Sequence, residues 1–100
     1  AASARRQGTP GFLVQARDRA DGDAAIRLGF TASKKVGNAV ARNRAKRRLR
    51  EIARAILPVK GIEGHDYVLI GRNGATANLP YAQLLAHLEK SLAILHGHRK

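Results

Sequence analysis

Nine consecutive residues, RNRAKRRLR, carry six basic side chains: Arg42, Arg44, Lys46, Arg47, Arg48 and Arg50. Guanidinium groups at this density suit phosphate, because each planar fork can donate two parallel hydrogen bonds to it. Lys34 and Lys35 stand upstream in SKKVGN, ahead of a helix start whose free backbone N–H groups can also receive phosphate. The acids are fewer and dispersed: Asp18, Asp21 and Asp23 in one turn, Glu51 among the arginines, and Glu63, Asp66 and Glu89 scattered. Metal-dependent hydrolysis needs clustered carboxylates, and acid–base catalysis needs a positioned pair. The sequence offers neither. DRADGD lacks the D-x-D-x-D-G order of a calcium loop, and no G-x-x-x-x-G-K-[ST] spacing marks a nucleotide-hydrolysing loop. His65, His87, His96 and His98 keep no metal-ligand spacing, and with no cysteine there is no thiolate site. The chemistry on offer is anion recognition, with no catalytic residue and no metal ligand of the protein's own.

The elements that must position these groups follow from periodicity. Setting residues at about 100° intervals from Ala41 places Ala41, Ala45, Leu49, Ile52 and Ile56 within an arc of about 80°. Asn43, Arg47, Arg50 and Arg54 fall opposite, Arg42 and Lys46 flank one side, and Arg44 and Arg48 lie nearer the apolar border. A helix is expected from Gly37 or Asn38 to Leu57, stopped by Pro58. One face anchors it, and the other presents a cationic ridge. A solvated face that served only solubility would mix signs for the sake of (i, i+4) pairs. Here nine basic residues stand against Glu51 alone between Lys34 and Arg54.

Around that helix, GFLVQAR (11–17) and AAIRLGFTA (24–32) read as strands, with Asp21-Gly22 between them as a hairpin turn signal. YVLIGR (67–72) reads as a short apolar strand covered on both faces. Pro80 opens a last helix whose Tyr81, Leu84, Leu85, Leu88, Leu92 and Leu95 repeat at three and four. Residues 1–10 are expected to be the remnant of an N-terminal helix and linker, and 96–100 a solvated tail. The whole is one small α+β domain, residues 1–100.

Composition narrows the partner. Lys and Arg number 19 against 7 Asp and Glu, for a net charge of +12. Such a charge opposes compaction and favours a polyanion, with nucleic acid ahead of an anionic membrane surface. The helix's apolar face is mostly alanine, where a membrane-surface helix would carry bulky aromatics. No apolar run approaches the roughly 20 residues of a membrane span, and the lack of cysteine fits a reducing, cytoplasmic setting. If about 6 to 10 phosphates are contacted, binding should be steeply salt-dependent.

The order GFTASKKVGNAVARNRAKRRLRE, a strand ending in SKK, then GNAV, then RNR and a run of arginines, closely resembles the signature of the protein subunit of bacterial ribonuclease P. GFLVQAR is similar to the first strand of that family, HDYVLIGR to its later strand, and LPYAQLLAHLEKSL to its closing helix, so that the likeness covers roughly residues 11 to 95. The resemblance implies an αβββαβα sandwich with a central sheet and a left-handed βαβ crossover, against the usual right-handed preference. Most of its first helix would lie before Ala1. It also implies an accessory subunit of an endoribonuclease, which binds a catalytic RNA and assists removal of the 5′ leader from precursor tRNA. The RNA would perform the hydrolysis with Mg2+ held through the RNA, and no small molecule or membrane would be involved.

By position, the resemblance assigns RNA contact to Lys34, Lys35, Arg42, Asn43, Arg44, Lys46, Arg47, Arg48 and Arg50. It assigns a leader cleft to Leu13, Gln15, Lys35, Ala39 and Asn43. The family places an aromatic or apolar side chain around Gln15, and its first helix supplies aromatics to the cleft; residues 1–10 contain none. Either that helix precedes Ala1, or this member grips the leader by charge and hydrogen bonds. The competing reading is a general RNA-binding or ribosomal-type module without a processing role.

Overall fold

The computed structural model describes residues 5–32 and 37–96. Three strands, β1 (Arg5–Gly8), β2 (Phe12–Asp18) and β3 (Arg27–Thr31), precede α1 (Ala39–Lys60). Strand β4 (His65–Gly71), a single helical turn α2 (Ala75–Asn78) and α3 (Tyr81–His96) complete the chain. The strands form one mixed sheet in the order β1-β2-β4-β3. β1 with β2 and β2 with β4 are antiparallel, while β3 runs parallel to β4 across the α1 connection.

Alternation explains the layering. Phe12, Val14 and Ala16 of β2 and Tyr67 and Leu69 of β4 are buried against α1 and α3. From the helices come Leu49, Ile52, Ala53, Leu57, Leu84, Leu88, Leu92 and Leu95. Successive strand side chains point to opposite faces, so Leu13, Gln15, Val68 and Ile70 form the other, half-buried face.

Four expectations change. Arg5–Gly8, where the sequence suggests a helix remnant, is an edge strand paired to Leu13–Ala16. It supplies the third strand before α1. Asp21-Gly22 does not join a hairpin, because β4 lies between β2 and β3; the hairpin is the one between β1 and β2, closed by Thr9. The Thr9 N–H and hydroxyl both donate to the Phe12 carbonyl, at 3.0 and 2.7 Å. Pro58 does not stop α1 but sits inside its last turn. There it removes only the bond to the carbonyl of exposed Arg54, and the helix closes with the Gly61 N–H on the Leu57 carbonyl at 2.8 Å. Finally, β4 is buried on one face and half-covered on the other, not enclosed on both.

The start of α1 follows its motif. Asn38 caps the helix, its side-chain oxygen accepting from the Ala41 N–H at 2.9 Å. Gly37 before it has φ +141°, and a Cβ there would fall 2.9 Å from the Ala41 Cβ. No side chain fits that position, which accounts for the glycine of GNAV.

Candidate nucleic-acid interface

The basic ridge is real and one-sided. Asn43, Arg44, Arg47, Arg50 and Arg54 are exposed, Arg42 and Lys46 are half-buried, and Ala45 and Leu49 are buried beneath them. The buried arc reaches further round than the sequence suggests: Ala53 and Leu57 are enclosed, while Ala41 and Ile56 are only half so. Asn43, Arg44, Arg47 and Arg48 line an open groove of about 600 Å³ along α1, together with Val40 and Glu51. Among the described residues, no ion pair involves a side chain of α1. Like charges along one helix face repel, and among the described residues no carboxylate pairs with them to offset the cost.

The arginines differ in what they do. The Arg50 guanidinium carbon lies 5.8 Å from the centre of the Phe30 ring, which aims the group along the edge of the sheet. Arg48 turns inward: it donates to the carbonyls of Thr76, Ala77 and Leu79 at 3.1, 2.7 and 2.6 Å. Lys34 and Lys35 lie outside the described residues.

The residues assigned to the leader cleft occupy two layers. Leu13 and Gln15 stand on the open sheet face, directly opposite Ile70 and Val68 of β4. Ala39 and Asn43 are exposed on α1, which packs on the other face. Sequence reasoning overlooked the rim of the open face. Arg6 stands opposite Gln15, Arg17 opposite Asp66, and Arg27 beside Asp66, all three exposed. Arg72 joins them, its guanidinium lying over Gly8, where an added Cβ would come within 2.9 Å of Nη2. Strand parity could have found Arg72, since Asp66, Val68, Ile70 and Arg72 alternate onto one face. The result is an apolar strip of Leu13, Val68 and Ile70 bordered by cations.

The acidic turn has a different use. Arg19 is nearly enclosed and donates to Asp66 at 2.8 Å, to Asp21 at 3.1 Å and to the carbonyls of His65, Asp23 and Ala25. The Asp66 bond, then Asp21, raises its pKa against the effect of burial. Asp18, Asp21 and Asp23 each accept a backbone N–H two residues on. The Asp21 carboxyl is held below its ordinary value, first by the Asp23 N–H and then by Arg19, against partial burial. These carboxylates fold a loop around an arginine. His96, at the expected start of the tail, is the last residue of α3, its ring 2.9 Å from the Tyr67 hydroxyl; residues 97–100 lie outside the described set.

Known proteins with this sequence and shape agree with one another. The family model described as Ribonuclease P matches residues 1–96. The ribonuclease P protein component of Ruegeria pomeroyi is 62% identical over 98 residues, covering 97% of this chain and 78% of that protein. That of Caulobacter vibrioides is 51% identical over 83 residues, 83% of this chain and 55% of the relative. Among solved structures, the Staphylococcus aureus RNase P protein superposes with a TM-score of 0.72 at 32% identity, over 92% of this chain and 81% of that one. The Thermotoga maritima protein gives 0.67 at 29% identity, over 88% and 84%. With its SKK-GNAV-RNR order, its α+β sandwich and these relatives, the chain belongs to the bacterial ribonuclease P protein family.

Proposed function

We propose that this protein binds the catalytic RNA of ribonuclease P through the α1 ridge and holds the 5′ leader of precursor tRNA near the open sheet face. The observation that carries the reading is the pairing of two cationic surfaces on one rigid domain. The first is an arginine ridge without a carboxylate partner among the described residues; the second is a half-apolar sheet face rimmed by Arg6, Arg17, Arg72 and Arg27, the last within 3.5 Å of Asp23. Phosphates along a backbone suit the ridge, while unstacked bases suit an apolar strip with cations at its border. No aromatic side chain lies on that strip, so hydrogen bonds from Gln15 and the rim arginines would take the place of stacking.

Hydrolysis is assigned to the RNA, with Mg2+ held by its phosphates. The protein's own carboxylates fit such a metal poorly, because Asp21 and Asp66 face Arg19 and all three aspartates of the loop receive backbone donors. Among the described residues no helix is long and apolar enough to cross a membrane, and the proposed site of action is the cytoplasm, where precursor tRNA is made. The test is reconstitution with a bacterial ribonuclease P RNA at low magnesium. Stimulated removal of the leader, with no cleavage by the protein alone, is the expected result. Binding without stimulation would leave the general RNA-binding reading in its place. Reproducible cleavage at one tRNA position by the protein alone would refute the assignment of chemistry to the RNA.

A further inference from the structure

One arginine of the ridge is committed elsewhere. Arg48 is half-buried, and its two terminal nitrogens reach three carbonyls, those of Thr76, Ala77 and Leu79. Thr76 and Ala77 lie in the single turn of α2 and Leu79 is its C-cap, so no further helical turn satisfies these carbonyls. A planar guanidinium with five fixed donors can serve three such acceptors at once, whereas a compact ammonium cannot hold the same spread.

The acceptors are themselves fixed. Thr76 is fully buried. Its hydroxyl donates to the Gly11 carbonyl at the head of β2 and accepts from the Arg72 N–H at the end of β4, at 2.7 Å. A continuous chain of bonds therefore runs from two sheet strands through Thr76 to the carbonyls of α2, and from there through Arg48 to α1. On the opposite flank Arg50 lies against Phe30 of β3. Along the first two turns of α1, Ala45 is the one fully buried side chain, and alanine grips a neighbour weakly. From Leu49 onward apolar packing sets the rotation of α1, whereas its N-terminal part has little apolar hold, and Arg48 stands next to Arg44 and Arg47 in the same groove.

We propose that Arg48 is a positioning residue: its clamp on the end of α2 braces the N-terminal part of α1 and so aims Arg44 and Arg47 at the RNA, without contacting phosphate itself. The proposal rests on the functional reading above. It separates Arg48 from the other basic residues of the motif, all of which the family resemblance assigns alike to RNA contact.

The experiment compares the parent chain with Arg48→Met, Arg48→Lys and Arg47→Ala, measuring affinity for a bacterial ribonuclease P RNA across a salt series. Arg47→Ala should make the slope of log affinity against log salt shallower by about one. Arg48→Met should weaken binding roughly tenfold, the worth of a lost charged hydrogen-bond set, with the slope unchanged. Arg48→Lys keeps the charge but loses the fork, and should stay weakened with the parental slope. Full rescue by Arg48→Lys, a shallower slope in Arg48→Met, or parental affinity in Arg48→Met would each overturn the proposal. If Arg48→Met does not fold, the parent's own NMR decides. The Arg48 Nη protons should be hindered in rotation and slow to exchange in the free protein, and a freely rotating guanidinium would overturn the clamp. If the parent itself does not bind the RNA, the functional reading falls first, a result distinct from equal binding by parent and variants.

Discussion

Salt is the perturbation that tests the ridge most directly, and the structure sets its size. Arg44, Arg47, Arg50 and Arg54 are exposed on α1, Arg42 and Lys46 are half-buried, and Arg48 is engaged with carbonyls. That leaves about four to six cations of α1 able to neutralise phosphate. At about 0.7 to 0.9 released counterions per contact, log affinity should fall with log salt at a slope of about −3 to −5. Between 50 and 200 mM monovalent salt, affinity for the ribonuclease P RNA should then drop roughly 60- to 1,000-fold. The assay is filter binding or fluorescence anisotropy with labelled RNA at fixed magnesium, since a divalent ion competes for the same phosphates. A drop of less than about fivefold would refute the electrostatic ridge. A slope steeper than about −8 would show that the rim arginines of the sheet bind phosphate as well, and that α1 is only part of the surface.

Leu49→Ala should cost about 2 to 5 kcal/mol in urea unfolding, because the side chain is fully buried between α1 and the sheet. Arg47→Ala, on the exposed side, should stay within about 0.5 kcal/mol of the parent; the reverse pattern would mean that α1 faces the other way. Thr76→Val should lose about 1 to 3 kcal/mol, since it strands the Arg72 N–H and the Gly11 carbonyl, and an unchanged urea midpoint would argue against that bridge. Ser91→Ala should be neutral or stabilising by thermal melting, because the hydroxyl oxygen is buried with no hydrogen-bond partner among the described residues. Stability should also fall in acid. The Asp21 carboxyl titrates lower in the folded state than its ordinary value, so its contribution is present above that value and lost as pH drops through the lowered one. Urea midpoints below about pH 4 should fall, and fall less in Asp21→Asn.

How far the sequence reveals this molecule depends on how local each cause is. The α1 helix is legible because its apolar period, its Asn38 cap and its one-signed face all lie within a single stretch. The strand at Arg5–Gly8 is not, because RRQG has no alternation and its only cue is a partner strand a few residues later. Asp21-Gly22 misleads for a different reason. Turn chemistry says that the chain reverses, but not which strand will lie alongside, and β4 takes the place beside β2 from 47 residues further on at the Asp18–His65 pair. The inward turn of Arg48 is half legible. Its wheel position borders the apolar stripe, yet the carbonyls that hold it lie 28 to 31 residues away. The basic set was therefore readable as a group, and its division into exposed members and one turned inward onto carbonyls was not.

That division follows from a shortage. With 7 acids and 4 aromatics in 100 residues, the chain has few carboxylates to tie its elements together and few large rings to fill gaps. Backbone carbonyls supply the missing acceptors. Arg5 donates to the Leu95 carbonyl near the end of α3 at 2.8 Å, and Arg48 holds the carbonyls at the end of α2. A carboxylate partner would neutralise the cation it binds, whereas a carbonyl leaves its charge in place. Arginines that brace the fold from inside thus still add to the field outside it. The same residue type stabilises the scaffold and keeps the protein at +12 for a polyanionic partner. Replacing Arg5 or Arg48 by a neutral group would lower both stability and long-range attraction, while only the ridge arginines set the number of phosphates bound.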